Sequence, residues 1–253
     1  MERWMGRVAM VTGASGGIGA AITKELVKQG LKVVGLARRV DKIQEQSAEL
    51  KSASGKLYPL KCDVTNESDV KEAFKWVKSN LGGVDILVNN AGGDSGNSLI
   101  NGPIDSWKTI MNLNVLALSV CTKEAIESMK ERKVDDGHIV HINSTLGHSV
   151  PPAELGFSMY TASKHAVTAL TEALRKELTN MKTKIRVTAV SPGMVKTNFL
   201  ASSGADTATV NATYSSNPHL LPKDVADCVL FAISAPPHVQ IHDIILHPVG
   251  EIY

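Results

Sequence analysis

The chain has 253 residues, 43% of them hydrophobic and 21% charged, enough to bury a core that needs no disulfides. Twenty-seven basic residues against 25 acidic ones leave a net charge of +2, which excludes nucleic acid and anionic membrane surfaces as expected partners. Cys62, Cys121 and Cys228 lie far apart and without metal-ligand spacing, so no metal site is expected and the thiols read as reduced and mostly buried.

The first apolar run, 8–11, is too short for a signal-peptide core. No run approaches the roughly 18–20 apolar residues of a membrane helix. A cytoplasmic protein without a membrane span is expected. β-branched, apolar runs at 7–12, 32–37, 57–61, 86–89, 138–143 and 185–191 read as strands. Helical patterns fall between them at 17–30, 40–51, 67–80, 105–131 and 158–180. Most of the strands are apolar on both faces, as in a parallel sheet covered on each side. The alternation predicts an α/β fold: one domain, residues 1–253, with a doubly wound parallel sheet of the Rossmann type and helices on both faces. Residues 194–222 break the rhythm. They are rich in Ser, Thr, Asn and Ala without an apolar period, and are expected to form an irregular lid or substrate loop.

The first strand runs into Thr12-Gly13-Ala14-Ser15-Gly16-Gly17-Ile18-Gly19, and a helix follows. Glycines suit a place where a strand turns sharply and backbone must approach a pyrophosphate held at a helix N-terminus. The flanking strand and helix make a nucleotide cradle the better reading, and no Lys-Ser/Thr follows as a P-loop requires. At the end of the second strand stand Arg38 and Arg39, with no acid at its terminus. An acid there would bind the ribose 2′-hydroxyl of NAD, whereas arginine accommodates the 2′-phosphate of NADP, so NADP is expected ahead of NAD.

The second chemical feature is Tyr160-Thr161-Ala162-Ser163-Lys164 inside a predicted helix. An i, i+4 pair shares one helix face, so phenol and ammonium can address one ligand. A phenol titrates near pH ~10, and a neighbouring ammonium lowers that value toward acid–base use. Ser144 ends the fifth strand, at the sheet edge where such folds place ligands, and its hydroxyl can hold a substrate oxygen. A serine hydrolase is the rival reading of Ser144, but the G-x-S-x-G elbow is absent.

Four ordered motifs resemble the short-chain dehydrogenase/reductase family across nearly the whole chain. They are Thr12-Gly13-x-x-x-Gly17-x-Gly19, Asn89-Asn90-Ala91-Gly92, Ser144 with Tyr160-x-x-x-Lys164, and Pro192-Gly193 followed by Thr197. Met1-Glu2-Arg3-Trp4, Lys32-Val33-Val34-Gly35 and Ser128-Met129-Lys130-Glu131-Arg132 resemble one branch of it, which holds the insect farnesol dehydrogenases and a vertebrate relative, dehydrogenase/reductase family member eleven. The resemblance implies hydride transfer between a nicotinamide and an alcohol/carbonyl substrate, with Tyr160 as acid/base, Ser144 positioning the oxygen, Lys164 tuning Tyr160 and Asn114 holding a water of the proton relay. It implies cofactor contacts from Gly13, Ser15, Gly17, Ile18, Gly19, Arg38, Arg39, Asp63, Val64, Asn90, Ala91, Gly92, Tyr160, Lys164, Pro192, Gly193, Val195 and Thr197. It also implies a homodimer or homotetramer built on the helix 105–131 and the helix that bears Tyr160.

Two departures stand out. The stretch from Ser144 to Tyr160 is about three residues longer than is usual in the family and contains Pro151-Pro152, and the C-terminal segment 242–248 lacks the family's glycine pair. The branch points to an apolar substrate, a prenyl alcohol such as farnesol or a steroid or other bulky ketone, with Phe157, Met159, Met194, Phe199, Leu200 and Tyr214 as candidate lining. One alternative is a catalytically idle NADP-binding sensor, which would have no need of a complete Ser-Tyr-Lys-Asn set. Another is a sugar-nucleotide epimerase or dehydratase, for which the chain lacks a larger C-terminal substrate domain.

Overall fold

The computed structural model describes residues 1–251. Seven strands form one sheet: β1 (Val8–Thr12), β2 (Lys32–Ala37), β3 (Lys56–Lys61), β4 (Ile86–Asn89), β5 (His138–Ile142), β6 (Arg186–Pro192) and β7 (Asp243–Leu246). Their order is β3-β2-β1-β4-β5-β6-β7, and every neighbouring pair is parallel. The four central strands β1, β4, β5 and β6 are buried at every residue, because helices cover both faces.

The helices are α1 (Gly17–Lys28), α2 (Val40–Glu49), α3 (Glu67–Leu81), α4 (Ile104–Met111), α5 (Ala117–Glu131), α6 (Ser158–Asn180), α7 (Phe199–Ser202), α8 (Thr207–Ser216) and α9 (Pro222–Ser234). Alternate residues of β1 supply the two cores. Ala9 and Val11 pack with Ile22 and Leu26 of α1 and with Val229 and Ile233 of α9. Val8 and Met10 pack with Phe74 of α3, Met129 of α5 and Leu178 of α6. Each of the large buried side chains stabilises the fold by roughly 1.5–3 kcal/mol relative to exposure. The order of strands reverses between β1 and β4, and at such a switch point a ligand crevice opens beyond the carboxyl ends of the strands.

The expected strands and five expected helices are present, with three differences. The helix expected at 105–131 begins at Ile104 and is interrupted by a π turn, Asn112–Leu116, whose extra residue breaks the helical register. Residues 194–222 are not irregular throughout, since they hold α7 and α8. Tyr214 is the residue α8 buries, so the helix needs no apolar stripe and its sequence shows none. α9 and β7 complete the fold at positions where no element was expected, and β7 is a four-residue edge strand, short enough to leave little pattern. The N-terminal Trp4 is fully buried, and its indole N–H and the Arg3 guanidinium both donate to the carbonyl of Ile233 near the end of α9.

Candidate active site

At the glycine loop two contacts explain the residue types. Gly13 has φ +67°, and a Cβ there would come within 2.9 Å of the Asn90 amide and 3.0 Å of the Ala91 Cα. At Gly19 a Cβ would lie 2.4 Å from both the Asn90 amide nitrogen and the Gly13 carbonyl oxygen. The loop and the end of β4 are therefore packed backbone to backbone, which any side chain would separate. Asn90 donates from Nδ2 to the carbonyls of Thr12 (2.8 Å) and Gly13 (3.3 Å), and the Thr12 hydroxyl accepts from the N–H groups of Asn90 and Ala91 at 2.9 Å each. The side chain of Asn90 is thus a brace of the loop.

The loop fits a pyrophosphate. No side chain caps the first turn of α1, and no acid stands in it, so its N–H groups and dipole are open to an anion. Ser15 and Ile18 lie half-buried at the turn, and above Gly16 there is open space within 4 Å. At the other end of the crevice Arg38 and Arg39 are exposed beyond β2. The Asp63 carboxylate accepts from the Thr65 hydroxyl (2.7 Å) and backbone N–H (3.0 Å). Those bonds, with the charge of Arg38, hold it below the usual carboxylate range. Val64 and Ala91 line a narrow gap with Thr12, Asn89, Leu113 and Cys121.

The chemical groups meet where β4, β5 and α6 converge. Lys164 is 6% exposed, its Nζ donates to the carbonyl of Ile142 at 2.9 Å, and burial lowers its pKa to about 8. The same Nζ lies 5.5 Å from the centroid of the Tyr160 ring. Burial pushes the Tyr160 phenol up, the hydroxyl of Ser144 beside it pulls the other way, and the charge of Asp94 raises it further. Asp94 itself is raised by burial, against a hydrogen bond from the N–H of Gly96 (2.9 Å). Ser144 caps the short turn Thr145–Gly147, accepting from the N–H of Leu146 at 3.1 Å.

Asn114 sits 2% exposed in the π turn. Its Nδ2 donates to the Gly93 carbonyl and to the Ser163 hydroxyl, both at 2.9 Å, and its Oδ1 accepts from the Gly93 N–H at 3.0 Å. Ser163 in turn donates to the carbonyl of Tyr160 at 2.7 Å. The side chain is therefore a clamp between the segment after β4 and the helix of Tyr160. Gly92 faces it, since a Cβ there would lie 3.3 Å from the Asn114 oxygen and 3.8 Å from the Lys164 nitrogen.

Pro192 ends β6, and the turn after it is held from two sides. The N–H of Gly193 donates to Leu246 in β7 at 2.8 Å, and that of Met194 to the Glu251 carboxylate at 2.8 Å. A Cβ on Gly193 would strike that carboxylate. Tyr214 donates to the carbonyls of Val195 (3.2 Å) and Thr197 (3.1 Å), so it anchors this segment and its hydroxyl does not face a pocket. The side chain of Thr197 lies against Gly17, where a Cβ would come 3.2 Å from its Cγ2. Phe157 and Phe199 do reach the site, with ring centroids 6.0 and 5.3 Å from that of Tyr160. Asp94, His148, Asp243 and Glu251 were not singled out by sequence. For His148 the available signal was its place four residues after Ser144, and for Asp94 its place two after Gly92.

A family model described as short chain dehydrogenase matches residues 7–208. Dehydrogenase/reductase SDR family member 11 of Bos taurus is 53% identical over 256 residues, covering 100% of both chains. Farnesol dehydrogenase of Aedes aegypti is 46% identical, covering 99% of each. Among solved structures, the closed form of serine dehydrogenase complexed with NADP+ superposes with a TM-score of 0.88 at 32% identity, covering 97% of this chain and 96% of that one. A short chain dehydrogenase/reductase from Burkholderia phymatum in complex with NAD gives a TM-score of 0.85 at 25% identity, covering 97% and 90%. The match runs through both the glycine loop and the helix of Tyr160 and Lys164, and the chain belongs to the short-chain dehydrogenase/reductase family of oxidoreductases.

Proposed function

We propose that the chain is an NADP-preferring oxidoreductase that moves a hydride between the nicotinamide and an apolar alcohol/carbonyl substrate, a prenyl alcohol of the farnesol kind or a bulky ketone. The observation that carries the reaction is Lys164 buried beside the ring of Tyr160, with Ser144 next to the phenol. A bound nicotinamide supplies or takes up the hydride. The chain's own groups handle the oxygen and its proton: Ser144 hydrogen-bonds the substrate oxygen, and Tyr160 gives it a proton in reduction or takes one in oxidation. A cationic Lys164 favours the phenolate, opposing the burial that disfavours it. Asn114 fixes the helix that carries both groups.

NADP over NAD is supported by two exposed arginines with no acid at the end of β2, and the likeness to complexes of both NADP+ and NAD supports a nicotinamide cofactor. The apolar substrate is supported by Phe157 and Phe199 against Tyr160 and by the similarity to a farnesol dehydrogenase. We include in this reading the segment 194–222 as a lid over one catalytic domain, a cytoplasmic site of action, and a homo-oligomer. The exposed apolar side chains of Leu99, Ile100, Ile104 and Leu116 in and before the helical stretch 104–131 support the last, and light scattering above 27.0 kDa would bear it out. The experiment for the whole is a turnover screen over prenyl alcohols, steroids and bulky ketones with each nicotinamide. Turnover with NADP on apolar substrates is expected. Cofactor binding with no turnover on any of them would favour the idle sensor.

A further inference from the structure

The two departures from the family pattern, the lengthened stretch after Ser144 and the unusual C-terminal segment, meet at one side-chain cluster. His148 closes the short turn that Ser144 opens, its N–H donating to Thr145 at 2.9 Å. Its Nε2 lies 3.1 Å from the hydroxyl of Ser191 and 3.1 Å from Oδ2 of Asp243. Ser191 Oγ donates to Oδ1 of Asp243 at 2.9 Å. A carboxylate only accepts, so Nε2 carries the proton, and the Ser191 hydroxyl, its own proton given to Asp243, accepts from the same N–H.

The placement of these residues matters more than the energy of their contacts. Ser191 is fully buried and directly precedes the turn at Pro192 and Gly193. Asp243 opens β7. On its other side the serine turn is tied to α6: Asn143 donates to Thr168, Thr168 donates to the Gly147 carbonyl, each at 2.9 Å, and a Cβ on Gly147 would come 2.9 Å from the Lys164 carbonyl. Past Ser149 the chain leaves the body, with Val150 79% exposed. His148 is therefore the tie between the serine turn and β6–β7 before the chain runs out into solvent.

We propose that His148 is a positioning residue for the hydride-transfer site: held by Asp243 and Ser191, it fixes the Ser144 hydroxyl relative to the turn at 192–197. The inference rests on Ser144 and Tyr160 acting as proposed above. His148 stands at the rim of the fold, outside both hydrophobic cores, so the loss of its contacts is expected in catalytic geometry more than in stability. Displacing a reacting group by about 1 Å costs up to 10²-fold in rate.

The test compares His148→Ala, His148→Gln and Asp243→Asn by kcat, by KM for substrate and NADP, and by thermal unfolding. The glutamine amide nitrogen offers two N–H groups, one for each partner, so it replaces both contacts. We expect His148→Ala to lower kcat about tenfold with KM for NADP and Tm nearly unchanged, and His148→Gln to stay within about twofold of the parent. Unchanged kcat in His148→Ala, or a glutamine variant as slow as the alanine one, overturns the proposal. So does a fall in Tm with kcat per folded molecule unchanged, which marks a structural role only. If the parent itself turns over no substrate, the functional reading fails separately. The tie is then read from amide hydrogen exchange in the turn 145–149, where protection left unchanged by His148→Ala would overturn it.

Discussion

The crevice at β1 and β4 and the segments around Tyr160 are held together by different means. Around Gly13 and Gly19 the contacts run from backbone to backbone or through the side chains of Asn90 and Thr12, and a single added carbon strikes main chain at 3.0 Å or less. Around the substrate side the backbone is held by single side chains reaching to it from a distance, Tyr214 to Val195 and Thr197 and Glu251 to Met194, and His148 is tied to the side chain of Ser191. The first arrangement tolerates no change of residue, whereas the second keeps its shape only while a few anchors remain. A fold that binds one kind of cofactor and many substrates needs this division, with a fixed cradle and a wall that substitution can remodel.

The comparison breaks most sharply at Tyr160. Tyr160→Phe removes the proposed proton donor from the remodelled side and leaves the cradle intact, so kcat should fall by about 10²–10⁴-fold while NADP binding, measured by fluorescence titration, stays within about twofold. Loss of binding together with rate would mean that the two sides are not separable. Next in size is Arg38→Ala, at the far end of the cradle. KM for NADP should rise roughly ten- to a hundredfold and KM for NAD little, in steady-state kinetics with both cofactors. Equal effects on the two would make Arg38 a solvated surface charge.

A third effect concerns stability, and it sharpens the contrast at Lys164. Burial lowers its pKa from 10.5 to about 8 in the folded protein. Between those values the unfolded chain holds a proton that the folded one does not, so raising pH through this window stabilises the fold. Against Lys164→Met, which lacks the group, the wild-type apoprotein should gain up to about 3 kcal/mol between pH 8 and 10.5 and show a constant gap below pH 8. Chemical unfolding across pH 7–11 checks this, and a gap that does not change through the window would show that Lys164 is solvated.

The same division explains what was legible in the sequence. The glycine loop, Tyr160 and Lys164 could be read directly, because each satisfies a local geometric demand that few other residues meet. The parallel sheet was legible from β-branched runs buried on both faces. α8 was not, because it buries one residue, Tyr214, and the rest of the helix obeys no apolar period. Nor was the role of Tyr214, since an aromatic residue in an irregular segment reads as pocket lining until its hydroxyl is seen on Val195 and Thr197. The clamp made by Asn114 depends on a π turn, which leaves no pattern in the sequence. The His148–Asp243 tie joins residues 95 positions apart and follows from topology alone.

Hydride transfer at this site, as opposed to the mere holding of a cofactor, leaves its mark on the product. The most direct measurement is mass spectrometry of the alcohol formed from an apolar ketone or aldehyde and NADPH carrying deuterium at both C4 positions of the nicotinamide, so that either face delivers label. One deuterium is expected on the carbinol carbon in the wild type, and product at least about a hundredfold slower with Tyr160→Phe. Alcohol formed without the label, or labelled cofactor recovered unchanged after binding, would contradict it.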